Sequence, residues 1–410
     1  MRYRFVHAAD LHLDTPFEGI ERVVARVAAL LRDASLGALE ALVDLALAQD
    51  AAFVLVAGDV YDGADRGVRA QLAFRNAVGR LQRAGVETLV VHGNHDPVVD
   101  GWSAVRAWPD GVHVFGHAGV ERRRVERDGE QLAVVHGTSY AHRDTAENLA
   151  RRFARTDDDA LQIGLLHANV GDLATPAYSP CTVGDLAASG LDYWALGHVH
   201  LHAIVHGGQP WVVYPGALQG RSSHAGERGA KGACVVEVED GAVVGVEHVA
   251  LDRVRFAAPD VAIEGVADLP ELEAVLAERG AAELAEADGR AILVRARLTG
   301  RGPVHADLIR DGVLHGLLEA LRSGAPDGAP WLWWEGLRDA TRPALDRRAV
   351  AARGDLASEV LGLAGRLEAD GDALDEALAR WLAVRREPVA AATFASAVDL
   401  ALDLVAGDEP

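Results

Sequence analysis

Five short apolar runs punctuate the first half of the chain: RFVHA (4–8), FVLVA (53–57), TLVVH (88–92), IGLL (163–166) and YWAL (193–196). Each is rich in β-branched or aromatic residues and stops at a glycine or a polar residue, the signature of a short buried strand. Open α/β sheets hold ligands just beyond the carboxyl ends of their strands, so five such strands would converge on one crevice. An amphipathic run at 21–48 predicts a helix whose apolar stripe either covers a sheet or forms a dimer seam. Residues 234–251 alternate with period two around Asp240-Gly241, the pattern of a hairpin.

Beyond the hairpin the pattern changes. VAIEG (261–265), a helical stretch near 268–279 and AILVRARLTG (291–300) predict a small α/β unit. HADLIRDGVLHGLLEALRS (305–323) keeps helical spacing until GAPDGAP (324–330) breaks it, and a second helical set runs from about 345 to 405. The cluster WLWW (331–334) is either core filling or an exposed anchor for a partner. The expected organisation is therefore a catalytic domain at 1–252, a small α/β domain at 253–302 and a helical region at 303–410.

The polar residues that end the strands carry the chemistry. They lie in DLH (10–12), GDVYD (58–62), GNHD (93–96), LLHAN (165–169) and GHVH (197–200). Taken singly, DLH or GD after a strand is ordinary turn chemistry. Five strings in this order supply Asp10, His12, Asp59, Asn94, His167, His198 and His200, a set suited to holding two metal ions side by side. Residues at 10 and 12, or 198 and 200, project to one face of an extended segment and can grip one ion. A carboxylate such as Asp59 can bridge two cations about 3.5–4 Å apart. Mixed imidazole, carboxylate and amide donors suit manganese first, with iron or zinc as alternatives, over the all-oxygen shells of magnesium and calcium. This is the donor set of a metal-dependent phosphoesterase. Cys181 and Cys234 are isolated and read as small apolar residues.

These strings, with HAADLHLDTPF (7–17), HGTSY (136–140), LLHANVGD (165–172), YWALGHVH (193–200) and YPGALQGR (214–221), resemble the calcineurin-like metallophosphoesterases, and within them the SbcD-type DNA repair exonucleases of the YhaO-like branch. The resemblance covers about residues 3–250. It implies an α/β fold, a four-layer αββα sandwich with a small capping domain and a helical C-terminal region. It further implies that Asp10, His12 and His200 hold one metal and Asn94, His167 and His198 the other, bridged by Asp59. His95 matches the family's catalytic histidine, beside the scissile phosphate; Asp96 either orients its neighbours or caps the turn. The implied substrate is DNA, and the implied partner an SMC-like coiled-coil ATPase on which the tail helices dock, with a homodimer as a further expectation. Two departures stand out. Asp62 occupies a place where related nucleases carry a second histidine, which leaves His95 to act largely alone. Ala217 and Ser222 replace an Asn and a His of relatives, with Arg221 and His224 as candidates to compensate.

Charge changes the picture in one respect. With 61 acidic and 40 basic side chains the formal charge is −21, whereas DNA-binding proteins usually show a basic stripe. Tight DNA binding is then expected to come mainly from a partner. Arg221 and Lys231, the only lysine, follow glycine-rich turns past His200 and are either phosphate contacts or solvated turn residues. MRYRFVHAAD enters the first strand at once and no apolar run reaches membrane-spanning length, so the expectation is a cytoplasmic enzyme without a membrane segment. The acidic balance favours an alternative, a stand-alone phosphoesterase on a small nucleotide or cyclic nucleotide. A non-catalytic scaffold has no need of this full set of ligands.

Overall fold

The computed structural model describes residues 1–14, 25–63, 67–100, 103–171, 178–324 and 330–369, together with positions 394, 397, 398, 401 and 402. In chain order the first part supplies β1 (Arg2–Ala8), α1 (Ala25–Ala48), β2 (Phe53–Ala57), α2 (Val68–Arg83), β3 (Glu87–Val91) and β4 (Val112–Val114). There follow β5 (Glu121–Arg127), β6 (Glu130–Gly137), β7 (Leu161–His167), α3 (Val183–Ala188), β8 (Tyr193–Gly197), β9 (Ala203–His206), β10 (Trp211–Tyr214), β11 (Gly232–Glu239) and β12 (Ala242–Ala250). All five apolar runs are strands.

They assemble into two six-stranded sheets, ordered β12-β11-β1-β2-β3-β4 and β5-β6-β7-β8-β10-β9. The central strands are parallel, β1 to β4 in one sheet and β6, β7, β8 and β10 in the other, while each hairpin partner at the edges is antiparallel. Strand alternation builds the layers. Along β2, Phe53, Leu55 and Ala57 point between the sheets to meet Phe5, Leu89, Ile163, Leu165 and Tyr193, while Val54 and Val56 point outward. The outward face of the first sheet is covered by α1 and α2 through Leu39, Leu42, Val43, Phe74 and Val78. That of the second is covered by Leu149, Phe153 and Leu186 over Trp194. The expected four-layer αββα sandwich is what forms. The hairpin turns where expected, with Asp240 and Gly241 both at positive φ (49° and 78°).

The stripe of α1 is spent on packing: Leu39 and Leu42 cover the sheet, and Leu31 and Ala34 meet the next unit.

That unit contains β13 (Val254–Ala257), β14 (Asp260–Ala262), α4 (Leu269–Ala285), β15 (Ala291–Thr299), α5 (His305–Leu308), α6 (Val313–Gly324) and β16 (Leu332–Asp339). Asp268 starts α4 by accepting from Glu271 N at 3.0 Å, with Pro270 just inside the helix. β13, β14 and β16 all pair in parallel with β15. Two expectations are corrected here. The sheet does not end at 302, because Leu332–Asp339 returns as a strand beside β15. WLWW is therefore strand and not helix, and its alternation buries Trp334 with α4 and α6 while Trp331 packs against α1. Periodicity missed it because three tryptophans and a leucine in four residues read as one apolar block when both faces of a strand are covered. Trp331 and Trp334 are core, and Trp333 is partly buried beneath Arg322, so the cluster is not an exposed anchor. The helical set after 345 begins with α7 (Arg347–Ala352) and α8 (Leu356–Ala369), which share a core with Val398 and Leu402; 370–393 lies outside the described residues. Among the described residues no helix is long and apolar enough to cross a membrane.

Candidate metal centre

The carboxyl ends of β1, β2, β3, β7 and β8 lie at one edge of the facing sheets, and the loops after β1 and β2 are stitched together there. Asp10 N donates to Gly58 O (3.1 Å), His12 N to Asp59 O (3.0 Å) and Leu13 N to Val60 O (3.0 Å). This stitching holds Asp10, His12 and Asp59 at positive φ (50°, 41° and 51°), and His198, whose N–H donates to the Asp10 carboxylate, is at 105°, a strain of about 1–3 kcal/mol each that surrounding structure must sustain. Two glycines permit the crowding. A Cβ at Gly93 would lie 2.3 Å from Asp59 Oδ1 and 2.8 Å from the His167 ring; one at Gly197 would lie 1.9 Å from Ala57 O.

The donor atoms converge in two groups. His167 Nδ1 lies 2.9 Å from Ala57 O and must carry the ring proton to donate there. Burial lowers its pKa, so the ring is neutral and Nε2 presents a lone pair. That lone pair faces two acceptors, Asn94 Oδ1 at 2.9 Å and Asp59 Oδ2 at 3.4 Å. Three lone pairs pointing at one another repel unless a cation sits among them. In the other half burial opposes a charge on His200, but the Glu227 hydrogen bond and the charges of Asp10 and Glu227 raise its pKa. His200 Nδ1 is bonded to Glu227 Oε1 at 2.7 Å, which turns Nε2 toward His12 Nε2 at 3.2 Å and Asp10 Oδ1 at 3.8 Å. His12 Nδ1 is buried without a hydrogen-bond partner, and burial holds its pKa well below the ordinary value. Asp59 Oδ2 lies 3.9 Å from His12 Nε2 and 3.4 Å from His167 Nε2, between the halves. Burial, then the charge of Asp96, pushes Asp59 up to about 7, a cost that a nearby cation removes. The residues present fit two metal ions.

Sets of three metal-competent side chains converge at Asp10, His12 and His200 and again at Asp10, Asp59 and His167, with Asn94 beside the second. His198 belongs to none of the sets found among the described residues. Its ring stacks edge-on to His167 with centroids 5.3 Å apart, its pKa is lowered to about 3 by burial and the neighbouring imidazoles, and its N–H donates to both Asp10 oxygens at 3.0 and 3.1 Å.

His95 is not alone. Its Nδ1 lies 2.5 Å from Asp62 Oδ1, and Arg221 Nη1 donates to Asp62 Oδ2 at 2.9 Å. Burial opposes a charge on His95, but the Asp62 bond and the charges of Asp59 and Asp62 outweigh it and raise its pKa. Glu227 takes Arg221 N on Oε2 at 3.1 Å and receives Nη2 on Oε1 at 3.5 Å, so a continuous chain runs His95–Asp62–Arg221–Glu227–His200. His200 Nδ1 and the Arg221 charge hold Glu227 down to about 2 against the opposing effect of burial. Of the two candidates to compensate for Ser222, Arg221 reaches the centre and the exposed His224 does not.

Asp96 is fully buried and accepts from Val60 N (2.9 Å), His92 Nδ1 (2.8 Å) and Gly93 N (2.8 Å), which fixes the GNHD turn. It acts on Asn94 and His95 through that turn. The segment around Tyr140 shapes the centre: Ser139 Oγ accepts from His92 N at 2.9 Å and the Tyr140 ring lies edge-on to His167. Lys231 is corrected. Its side chain is buried and its ammonium donates to His200 O and Gly226 O, both at 2.6 Å, so it does not offer a phosphate contact. Sequence reasoning noted Asp62 only as a departure that leaves His95 alone, and passed over Glu227. Asp62 was visible three residues after Asp59; Glu227 follows no spacing rule and is identified only by folding back onto His200.

Two facing sheets whose strand ends carry such ligand sets define a class of metal-dependent hydrolases. Residues 3–202 match the calcineurin-like phosphoesterase family, and residues 256–342 match the middle domain of metallophosphoesterase YhaO. The chain is 33% identical over 340 residues to the uncharacterized metallophosphoesterase YhaO of Bacillus subtilis, covering 82% of this chain and 81% of that one. It is 27% identical over 235 residues to the DNA double-strand break repair protein Mre11 of Thermoplasma acidophilum, covering 55% of this chain and 61% of that one. The chain belongs to the calcineurin-like metallophosphoesterase family, hydrolases of phosphoester bonds that use divalent metals.

Proposed function

We propose that this hydrolase cuts phosphodiester bonds in DNA, with manganese as its metal, in DNA repair beside an SMC-like coiled-coil ATPase. The observation that carries the hydrolytic chemistry is the convergence of Asn94 Oδ1 and Asp59 Oδ2 on the lone pair of His167 Nε2, at 2.9 and 3.4 Å. Asp10, His12 and His200, with Asp59 as bridge, would hold one ion, and Asn94, His167 and His198 the other. Ions so held supply Lewis-acid polarisation of the phosphoryl group and activation of water. The protein's own residues do the rest. Asp62 fixes His95 through Nδ1, leaving Nε2 to donate a proton to the departing oxygen. Arg221, anchored by Asp62 and Glu227, places a cation where a phosphoryl oxygen gains charge.

Similarity to a protein named for double-strand break repair supports DNA as the substrate, and the small α/β unit that follows the catalytic sheets supports selection among its ends. α7 and α8 are the proposed docking elements for the ATPase, and a cytoplasmic setting follows from that role. A homodimer is tested by mass in solution. The formal charge of −21 favours a second reading, a small nucleotide ester as substrate. The deciding experiment is manganese-dependent cleavage of end-labelled DNA beside a simple phosphodiester ester, with His95→Ala as control. DNA degradation lost in the control supports the first reading. Ester cleavage with DNA untouched, even with the ATPase added, overturns it in favour of the second.

A further inference from the structure

The only lysine of a chain with thirty-nine arginines sits behind the metal centre. Lys231 immediately precedes β11 and is tied down by its backbone, since Leu251 N and Asp252 N donate to its carbonyl at 2.8 and 3.1 Å. Its side chain is 2% exposed, and Nζ donates to His200 O and Gly226 O. Those carbonyls belong to two separate segments, and they are joined a second time when Glu227 receives His200 Nδ1. The result is a closed ring: Lys231 to the His200 backbone, Lys231 to Gly226, and Glu227 back to the His200 imidazole. One ligand is thereby gripped at both its main chain and its ring.

Residue choice agrees with that geometry. Burying an ammonium is costly, and an apolar side chain would fill the same space without the cost. A compact tetrahedral ammonium directs donors to carbonyls converging from different segments, whereas the planar arginine fork suits one flat partner. The single exception to arginine in this chain falls where that shape is required.

We propose that Lys231 is a positioning residue for the Asp10–His12–His200 half of the centre, fixing His200 so that this half binds its cation tightly while the Asn94–His167 half is left unaffected. The proposal rests on the two-metal reading above. Outer partners of metal ligands typically change affinity by roughly 10–100-fold.

The test is calorimetric titration of metal-free wild-type and Lys231→Met proteins with manganese, after circular dichroism shows both folded. The expected result is two ions for the wild type, with one of the two affinities weakened by on the order of 10–100-fold in Lys231→Met and the other unchanged. Unchanged affinities overturn the proposal, and so does equal weakening of both, which marks general structural support. A wild type that takes up no ion removes the two-metal reading itself. Should Lys231→Met fail to fold, labelling wild-type protein with ε-13C lysine gives a single resonance, because the chain has one lysine. Saturation with diamagnetic zinc is expected to shift that resonance, and an unmoved signal overturns the proposal.

Discussion

His95 Nδ1 and Asp62 Oδ1 stand 2.5 Å apart at the open side of the metal centre, and this contact decides which nitrogen of His95 is left to act. Asp62 is held below the usual carboxylate range, first by the His95 hydrogen bond and then, against the effect of burial, by the charges of His95 and Arg221. The aspartate therefore remains an anion that keeps the proton on Nδ1 and favours the charged imidazole. Asp62 thus supplies the partner that His95 needs.

Asp62→Asn keeps the shape and removes the charge. The expected outcome is a fall in kcat of roughly 10²-fold with little change in KM, since general acid–base groups contribute about 10²–10⁴-fold. Metal content by emission spectrometry should stay at the wild-type level. Because Asp62, His12 and His95 also converge closely enough to grip an ion, loss of metal in this variant would instead make Asp62 a ligand.

Gly197→Ala tests the crowding beneath the ligands. Its Cβ would meet Ala57 O at 1.9 Å, and that carbonyl also receives His167 Nδ1. Destabilisation at or above the upper end of about 1–3 kcal/mol is expected, together with loss of metal-induced stabilisation in urea unfolding. Gly245→Ala in β12, where nothing lies within 4 Å of the added carbon, is the control and should change stability by less than about 0.5 kcal/mol.

The strand ends were legible because apolar runs that stop at a ligand type mark both the strand and the chemistry it delivers. Asp10, Asp59 and His167 follow β1, lie just beyond β2 and end β7 as expected. Legibility failed where a residue's partner is remote in sequence. Glu227 meets His200 across 27 positions, Arg221 meets Asp62 across 159, and nothing local announces either. It failed again at Lys231, where glycine-rich surroundings suggest an exposed turn while the side chain runs inward. Trp331 to Trp334 misled for the opposite reason: a strand buried on both faces loses the alternation that identifies a strand.

Trp334 gives that last point an energetic test. It is 2% exposed, and its ring lies 2.7 Å from where a Cβ on Gly280 would stand, so α4 packs directly on it. Trp334→Ala should cost about 3–5 kcal/mol by leaving a cavity between α4, α6 and β16. An exposed anchor would cost almost nothing. Thermal unfolding followed by circular dichroism separates the two.

His7 makes stability depend on pH in a direction the structure fixes. It lies between the sheets with Nδ1 3.1 Å from Tyr193 Oη and Nε2 3.2 Å from Leu196 O, so Nε2 donates to the carbonyl and Nδ1 accepts from the phenol. Burial lowers its pKa from 6.5 to about 3, the Leu196 bond opposing and nearby His202 assisting. The folded protein thus refuses a proton that the unfolded chain accepts below 6.5. Its stabilising contribution is complete above that value and drains away as pH falls toward 3, at about 1.4 kcal/mol per pH unit. Other buried imidazoles of the metal-free protein add to the slope, so the informative quantity is the difference from His7→Gln, which keeps polar atoms and cannot titrate. Urea unfolding of both at pH 7.5 and pH 5 should show the wild type losing about 2 kcal/mol more than the variant. Parallel losses would mean that His7 takes up its proton in the folded state, which requires either water or a rearranged Tyr193 between the sheets.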